Sequence, residues 1–259
     1  MASNASVAAA RLGGEVEYWG RVGDDVFGGQ IIGWLEAEGV KADRVRRIVG
    51  ARSPRTAVLV DAAGERLICG YNDPALDDDP SWLPVASVAD CDAVLADVRW
   101  RRGAARALDA AREAGVPSVL DADIAPVETL RDLCARCDYA IFSEAGLKAA
   151  SGIENSAQGL RRMAEVARGL VGVTLGEQGF LWLDAGCERR AAAPRVTVVD
   201  TLAAGDVFHA AFALAIAERK GVAEAARFAN AAAALKCTRL GGRTGAPTRD
   251  EVEALLKKG

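Results

Sequence analysis

Val199-Asp200-Thr201-Leu202-Ala203-Ala204-Gly205-Asp206-Val207-Phe208 is the stretch on which the reading of this chain turns. Small residues lead into an apolar run at 207–217 that reads as a buried helix. Short side chains let the backbone close up, so that several N–H groups aim at one point ahead of the helix. The helix dipole adds positive charge there, and the point becomes an anion site. Read singly, Asp206 is a helix cap, a common use of aspartate before a helix. Read as a unit, the stretch sets an anion hole at Ala203, Ala204 and Gly205 beside a carboxylate. That pairing suits phosphoryl transfer: the hole holds charge on the transferred group, and the carboxylate takes the proton of the attacking hydroxyl.

The 259 residues suffice for one large domain with a sizeable core, expected to span 1–259. Half of them are apolar and about a quarter charged, as in globular proteins. A net charge of −4 leaves no basic excess for nucleic acid, so any anion site must be local. No apolar run reaches membrane-spanning length. Residues 1–4 carry neither a basic leader nor a separate apolar segment, so the expected location is cytoplasmic. Six cysteines are scattered along the chain. Cys134 and Cys137 form a C-x-x-C without a second pair or a nearby histidine, which predicts reduced thiols rather than a zinc site.

Helical spacing of apolar residues predicts helices over 5–12, 27–35, 104–114, 157–167, 207–217, 227–236 and 250–256. Strands are predicted at 16–19, 93–96, 118–120, 139–142, 170–175, 180–183 and 195–199. A hairpin is predicted from 56–60 and 66–69 around Ala62-Ala63-Gly64. Alternation of strand and helix after Pro80 implies a mostly parallel sheet covered on both faces. Ligands of such sheets sit beyond the C-terminal strand ends, where Asp97, Arg99, Asp121, Asp123, Ser143, Glu144, Thr174 and Gly176 fall. Strand-end loops are polar in any case, so none of these residues decides the question alone. Asp24 and Asp25 read as caps of the helix that follows, and the lone His209 reads as packed rather than catalytic.

The run from Asp200 to Phe208 resembles the C-terminal signature of the ribokinase-like (PfkB) carbohydrate kinases, Asp-Thr-x-Ala/Gly-Ala-Gly-Asp-x-Phe. The resemblance extends along essentially the whole chain. It implies a doubly wound α/β sheet with helices on both faces and a small β lid at about 45–71. It also implies an ATP- and Mg2+-dependent sugar kinase with Asp206 as the base. Asn4-Ala5-Ser6-Val7 begins a segment similar to the motif whose Asn binds the sugar. Val173-Thr174-Leu175-Gly176-Glu177-Gln178-Gly179 resembles the nucleotide loop, which implies ATP contacts at Thr174, Gly176 and Gly179. Asn230 occupies a position near the adenine in relatives, and equally suits a solvated polar residue. The segment 235–243, with Gly242, resembles the loop that closes the nucleotide site. With Asp200 that loop can hold a monovalent cation such as K+ in relatives; Asp200 can equally just brace the turn.

Two departures from the pattern stand out. Many relatives carry Asn-x-x-Glu after the strand ending at Phe142, where the Glu orders magnesium through water. Here the positions read Ser143, Glu144, Ala145, Gly146, with Glu144 the available carboxylate. The family pattern also begins with a strand, an Asp and a Gly-Gly loop ahead of the Asn4 motif, so the first strands are expected to be absent. Within the family, segments at 94–100, 120–124, 142–147 and 206–209 are most similar to the bacterial sulfofructose kinases. That likeness makes Arg99 the candidate reader of an acceptor's sulfonate, against its alternative as a surface arginine. A homodimer through the lid is expected. Two rival readings are a non-catalytic sugar or nucleotide sensor on the same fold and a nicotinamide-dependent oxidoreductase; the latter lacks a Gly-x-Gly-x-x-Gly after a strand.

Overall fold

The structure is a computed structural model that describes residues 1–60, 66–76 and 78–257. The chain opens on α1 (Ala2–Arg11). A small βαβ unit follows: β1 (Gly20–Gly23), α2 (Val26–Ala37) and β2 (Val45–Ile48), the two strands pairing in parallel. Val7, Val22, Leu35, Val40 and Val45 form its core. The alternation at 16–19 makes only an isolated bridge, Glu17 to Lys41, and the paired strand begins at Gly20 instead. The Gly-Arg-Val-Gly strand has no alternation to read, because its packing is backbone against backbone. A Cβ at Gly23 would stand 2.4 Å from the Ala51 carbonyl oxygen. Asp25 caps α2 through the Gly28 amide at 2.8 Å and also accepts from the Ser53 hydroxyl at 2.6 Å. The Ser53 hydrogen bonds hold its carboxyl down to about 2.

β3 (Arg55–Val60) and β4 (Arg66–Tyr71) pair antiparallel as a separate two-stranded sheet, with Arg55 opposite Tyr71. The predicted turn at Ala62-Ala63-Gly64 lies outside the described residues.

From Val94 onward strands and helices alternate: β5 (Val94–Asp97), α3 (Arg101–Ala114), β6 (Ser118–Ala122), α4 (Val127–Cys134), β7 (Tyr139–Ser143), α5 (Glu144–Ser151), α6 (Ser156–Ala164) and β8 (Leu170–Thr174). β9 (Phe180–Asp184) and β10 (Cys187–Ala191) turn back antiparallel, and α7 (Ala204–Ala217), α8 (Val222–Cys237) and α9 (Arg249–Leu256) complete the chain. The strands lie in the order β10-β9-β8-β7-β6-β5. When parallel strands follow one another in chain order, crossovers of one hand put their helices on the same face. That face holds Leu108, Leu130, Leu147 and Met163 against Leu120, Phe142, Val171 and Val173. The alternate strand residues Val119, Ile141, Phe180 and Trp182 point the other way, where they meet Leu12, Phe208, Phe212 and Phe228 of α1, α7 and α8. Helices therefore cover both faces, as the sequence pattern implies.

Further elements depart from the sequence expectation. The predicted strand at 195–199 is irregular, with Val198 and Val199 both 59% exposed. The edge strand is β10, whose Cys-Glu-Arg-Arg-Ala sequence hides it, because an edge strand open to solvent on both faces keeps its charges. α4 and α5 span only eight residues each, too short to show a helical period. Cys134 and Cys137 are free and buried, and burial pushes the Cys137 thiol up to about 12.

Gly179 has φ +85°, and a Cβ there would stand 2.1 Å from the Ala191 carbonyl oxygen. Its missing side chain makes room for the end of β10. Gly179→Ala is expected to cost roughly 2–4 kcal/mol in urea unfolding. A loss below about 0.5 kcal/mol, within the range of neutral surface changes, would contradict this packing.

Candidate active site

α7 begins three residues earlier than its apolar pattern, because Ala203 adopts a left-handed conformation (φ 64°) that turns the chain into the helix. Asp206 is consequently not the cap. It sits in the first turn with its side chain 15% exposed, and accepts a 2.7 Å hydrogen bond from Asn4 Nδ2. α1 packs against the start of α7, and this contact brings together two residues 202 positions apart. Burial pushes the Asp206 carboxyl above its ordinary range, while the Met1 ammonium at 3.9 Å and the Asn4 amide pull it back.

The expected anion hole is narrower than three amides. The Ala204 N–H is engaged by the Thr201 carbonyl at 3.2 Å, because the turn closes on itself there. Gly205 and Asp206 lie in the first turn, where the helix offers their N–H groups no acceptor. The space where a Gly205 side chain would stand is open. Gly242 packs against this turn, its missing Cβ lying 3.3 Å from Ala203 Cβ.

Sheet register gathers the strand-end residues on one edge: Asp97 lies beside Asp121, and Ser143 beside Thr174. Asp97 accepts from the Ala2 and Arg99 amides at 2.9 and 2.8 Å. Asp121 is 5% exposed, and its carboxylate oxygen stands 3.5 Å from His209 Nε2. The His209 ring is held on its other side by the Gly205 carbonyl at 2.7 Å. His209 is thus packed, and it ties the first turn of α7 to β6. Burial pushes the Asp121 carboxyl up to about 7, against the pull of His209, and the Asp206 and Asp97 charges add to the rise.

The remaining candidates are distributed as follows. Arg99 is already paired, with Nη2 2.9 Å from Asp123 Oδ2 and Nη1 donating to the Ile124 carbonyl at 3.2 Å. Ser143 donates to Asp123 at 2.9 Å and caps α5 through the Gly146 amide. Glu144 is exposed on the first turn of α5. Thr174 donates to the Phe142 carbonyl at 3.3 Å, and Gly176 opens onto free space. Asn230 is not solvated: it is 4% exposed and donates to the Ala191 carbonyl at 2.8 Å. Beside it lies a cavity of about 380 Å3 lined by Ala192, Ala193, Arg195, Arg227 and Leu256 among others. Asp200 braces the turn, accepting from the Leu202 amide at 2.8 Å and the Gly241 amide at 3.0 Å.

A buried side chain stands beside Asp200, where the resemblance implies a monovalent cation. Lys236, fully buried at the end of α8, sets Nζ 2.8 Å from the Asp200 carbonyl oxygen and 3.4 Å from its carboxylate. Sequence reasoning passed over this lysine, whose only signal is a single charge closing an alanine-rich helix.

Residues 1–249 match the pfkB family of carbohydrate kinases. The chain belongs to that family. It is similar to the ribokinase of Bacillus subtilis (strain 168), at 33% identity over 279 residues, spanning 98% of this chain and 86% of the relative. The crystal structure of a candidate ribokinase from Agrobacterium tumefaciens superposes with a TM-score of 0.95 at 40% identity, covering 100% of this chain and 85% of the other. That of Arabidopsis thaliana ribokinase complexed with ribose and ATP superposes at 0.87 with 27% identity, covering 98% and 86%.

Asp121 yields a pH test. The folded kinase holds its proton to about pH 7, whereas the ordinary value is 3.8, so between these limits the folded state binds more protons than the unfolded one. Stability contributed by this group therefore falls as pH rises through that window. Asp121→Asn should remove the decline. Urea unfolding at the two ends of the window should show the variant gaining on the wild type by roughly 1–3 kcal/mol toward high pH. A difference independent of pH would rule out a proton held on Asp121.

Proposed function

We propose that this pfkB-family kinase transfers the γ-phosphoryl group of ATP to a primary hydroxyl of a neutral pentose or ketohexose. The observation that carries this reading is the Asn4–Asp206 contact, which puts a sugar-type hydrogen-bonding amide 2.7 Å from a buried carboxylate at a helix N-terminus. Asp206, made more basic by its burial, takes the proton of the attacking hydroxyl. Asn4 holds the Asp206 carboxylate in position and leaves its own amide oxygen for the sugar. The N–H groups of Gly205 and Asp206, with the α7 dipole, face the charge that develops on the transferred phosphoryl group. ATP would rest along Thr174, Gly176 and Gly242 toward the cavity beside Asn230. Magnesium would neutralise phosphate charge when bound. No group of three metal-ligating side chains occurs among the described residues, which favours a cation held by phosphates and water with Glu144 in an outer position.

A neutral acceptor fits better than the sulfonate suggested by the sulfofructose kinase likeness. Asp97 and Asp123 follow the strand ends, Asp206 stands in the first turn of α7, and Arg99 is already compensated by Asp123. Carboxylates accept hydrogen bonds from sugar hydroxyls and repel an anionic acceptor. The β3–β4 pair, with Leu59 58% and Tyr71 43% exposed, is the surface through which two copies would associate.

Coupled ADP release with ribose, fructose, fructose phosphate and sulfofructose tests the acceptor. Turnover confined to sulfofructose would overturn the neutral-sugar reading. Asp206→Asn should lower kcat by ~10²–10⁴ while ATP affinity is kept, since a general base is typically worth that much. Turnover within about twofold of the wild type would remove Asp206 as the base. ATP binding without ADP formation in the wild type would favour a sensor. Size-exclusion chromatography with light scattering should give a dimer that Leu59→Glu dissociates.

A further inference from the structure

We propose that Lys236 is a built-in replacement for a monovalent cation: its ammonium supplies, from within the chain, the positive charge that braces the turn ahead of α7, so the kinase needs no potassium. The inference deepens the kinase reading and rests on it for the role of that turn. Three oxygens face Nζ: the Asp200 carbonyl at 2.8 Å, the Asp200 carboxylate at 3.4 Å and the Arg239 carbonyl at 3.5 Å. A carboxylate and backbone carbonyls converging on one point are the donor set a hard monovalent cation takes. An ammonium has the same charge as potassium and a similar size. The lysine side chain has no exposed surface, so its charge is committed to these oxygens rather than shared with water. A buried charge is tolerated only when paired and hydrogen-bonded, and this one is both.

The position of the ammonium links it to the chemistry. Asp200 ties two segments through its carboxylate, the Leu202 amide on one side and the Gly241 amide on the other. Leu202 leads directly into Ala203, whose left-handed conformation sets the first turn of α7 and with it Asp206. The Val199 and Asp200 amides are held by the Cys237 carbonyl at 2.8 and 3.1 Å, next to the lysine itself. Lys236 therefore acts through Asp200 as a positioning residue. It also stands in the last turn of α8, where a positive charge meets the negative end of the helix dipole. The charge is tethered to the chain, so its local concentration does not depend on the medium.

The test has a wild-type arm and a variant arm, each read by melting temperature and ATP affinity as well as by ADP release. In the wild type, replacing potassium chloride by sodium or choline chloride at equal ionic strength should leave all three unchanged. In Lys236→Ala, which opens space for an ion, melting temperature should drop and the KM for ATP rise in choline chloride. Potassium or ammonium should restore both, while choline should not. A potassium-specific rise in melting temperature or ATP affinity of the wild type would overturn the proposal. So would a variant that is weakened yet rescued by no cation, since the lysine would then be purely structural. If Lys236→Ala does not fold, Lys236→Met keeps the apolar stem without the charge, and the wild-type arm decides by itself. Absence of turnover with every sugar would count against the kinase reading alone, because melting temperature and nucleotide affinity still report the cation response.

Discussion

The burial of α7 against the sheet is the constraint from which the rest of the architecture follows. Parallel strands laid down in chain order send α3 to α6 to one face and leave the other bare. That bare face is largely apolar, with Val119, Ile141, Phe180 and Trp182 on it, and only a helix apolar nearly all round can cover it while itself being covered by α8 and α1. The run Val-Phe-His-Ala-Ala-Phe-Ala-Leu-Ala-Ile-Ala meets that need, with Phe208 and Phe212 stacked on each other and packed against Phe180. Each such aromatic side chain contributes on the order of 1.5–3 kcal/mol by burial. The helix is thus anchored along its length, and its N-terminus is delivered to the sheet edge as a fixed point.

The electrostatics at that point are a balance between acids and helix amides. Burial raises the proton affinity of Asp121 and Asp206, and the Asp97 charge adds to the rise of both, with the Asp206 charge adding further to that of Asp121. What keeps the cluster together is a set of donors, each supplied by a different element: the Asn4 amide from α1, the His209 ring from α7, and backbone amides beyond β5. The arrangement is stable only while these elements are packed, so the chemistry of the edge and the integrity of the fold are coupled.

Much of this was legible in the chain itself. The ten residues from Val199 to Phe208 mark the turn into α7 that carries Asp206, and the buried strands β5 to β9 match the apolar runs to within two residues at each end. The Asn4 motif is likewise local, and the fold brings Asn4 to within hydrogen-bond distance of Asp206. The features that escaped are those made by tertiary contact. Nothing in the local sequence tells that Lys236 reaches back to Asp200, or that Asn230 spends its amide on β10. The pairing of Arg99 with Asp123 is hidden in the same way, since a whole helix and strand separate the two in the chain. β10 escaped for the opposite reason: charge at three of its five positions reads as loop unless one knows that it lies at the rim.

That rim strand also bears on how the protein behaves in a crowded solution. A terminal β-strand presents an unpaired ladder of N–H and C=O groups to any passing chain, and an apolar one is a template for aggregation. Here the outermost strand carries Glu188, Arg189 and Arg190 in succession, with Glu188 paired to Arg161 at 2.9 Å and Arg189 to Asp184 at 3.6 Å. A second molecule docking edge to edge would have to strip these ions of water and break both pairs. The charged rim therefore lets the sheet end in the open without inviting its own extension.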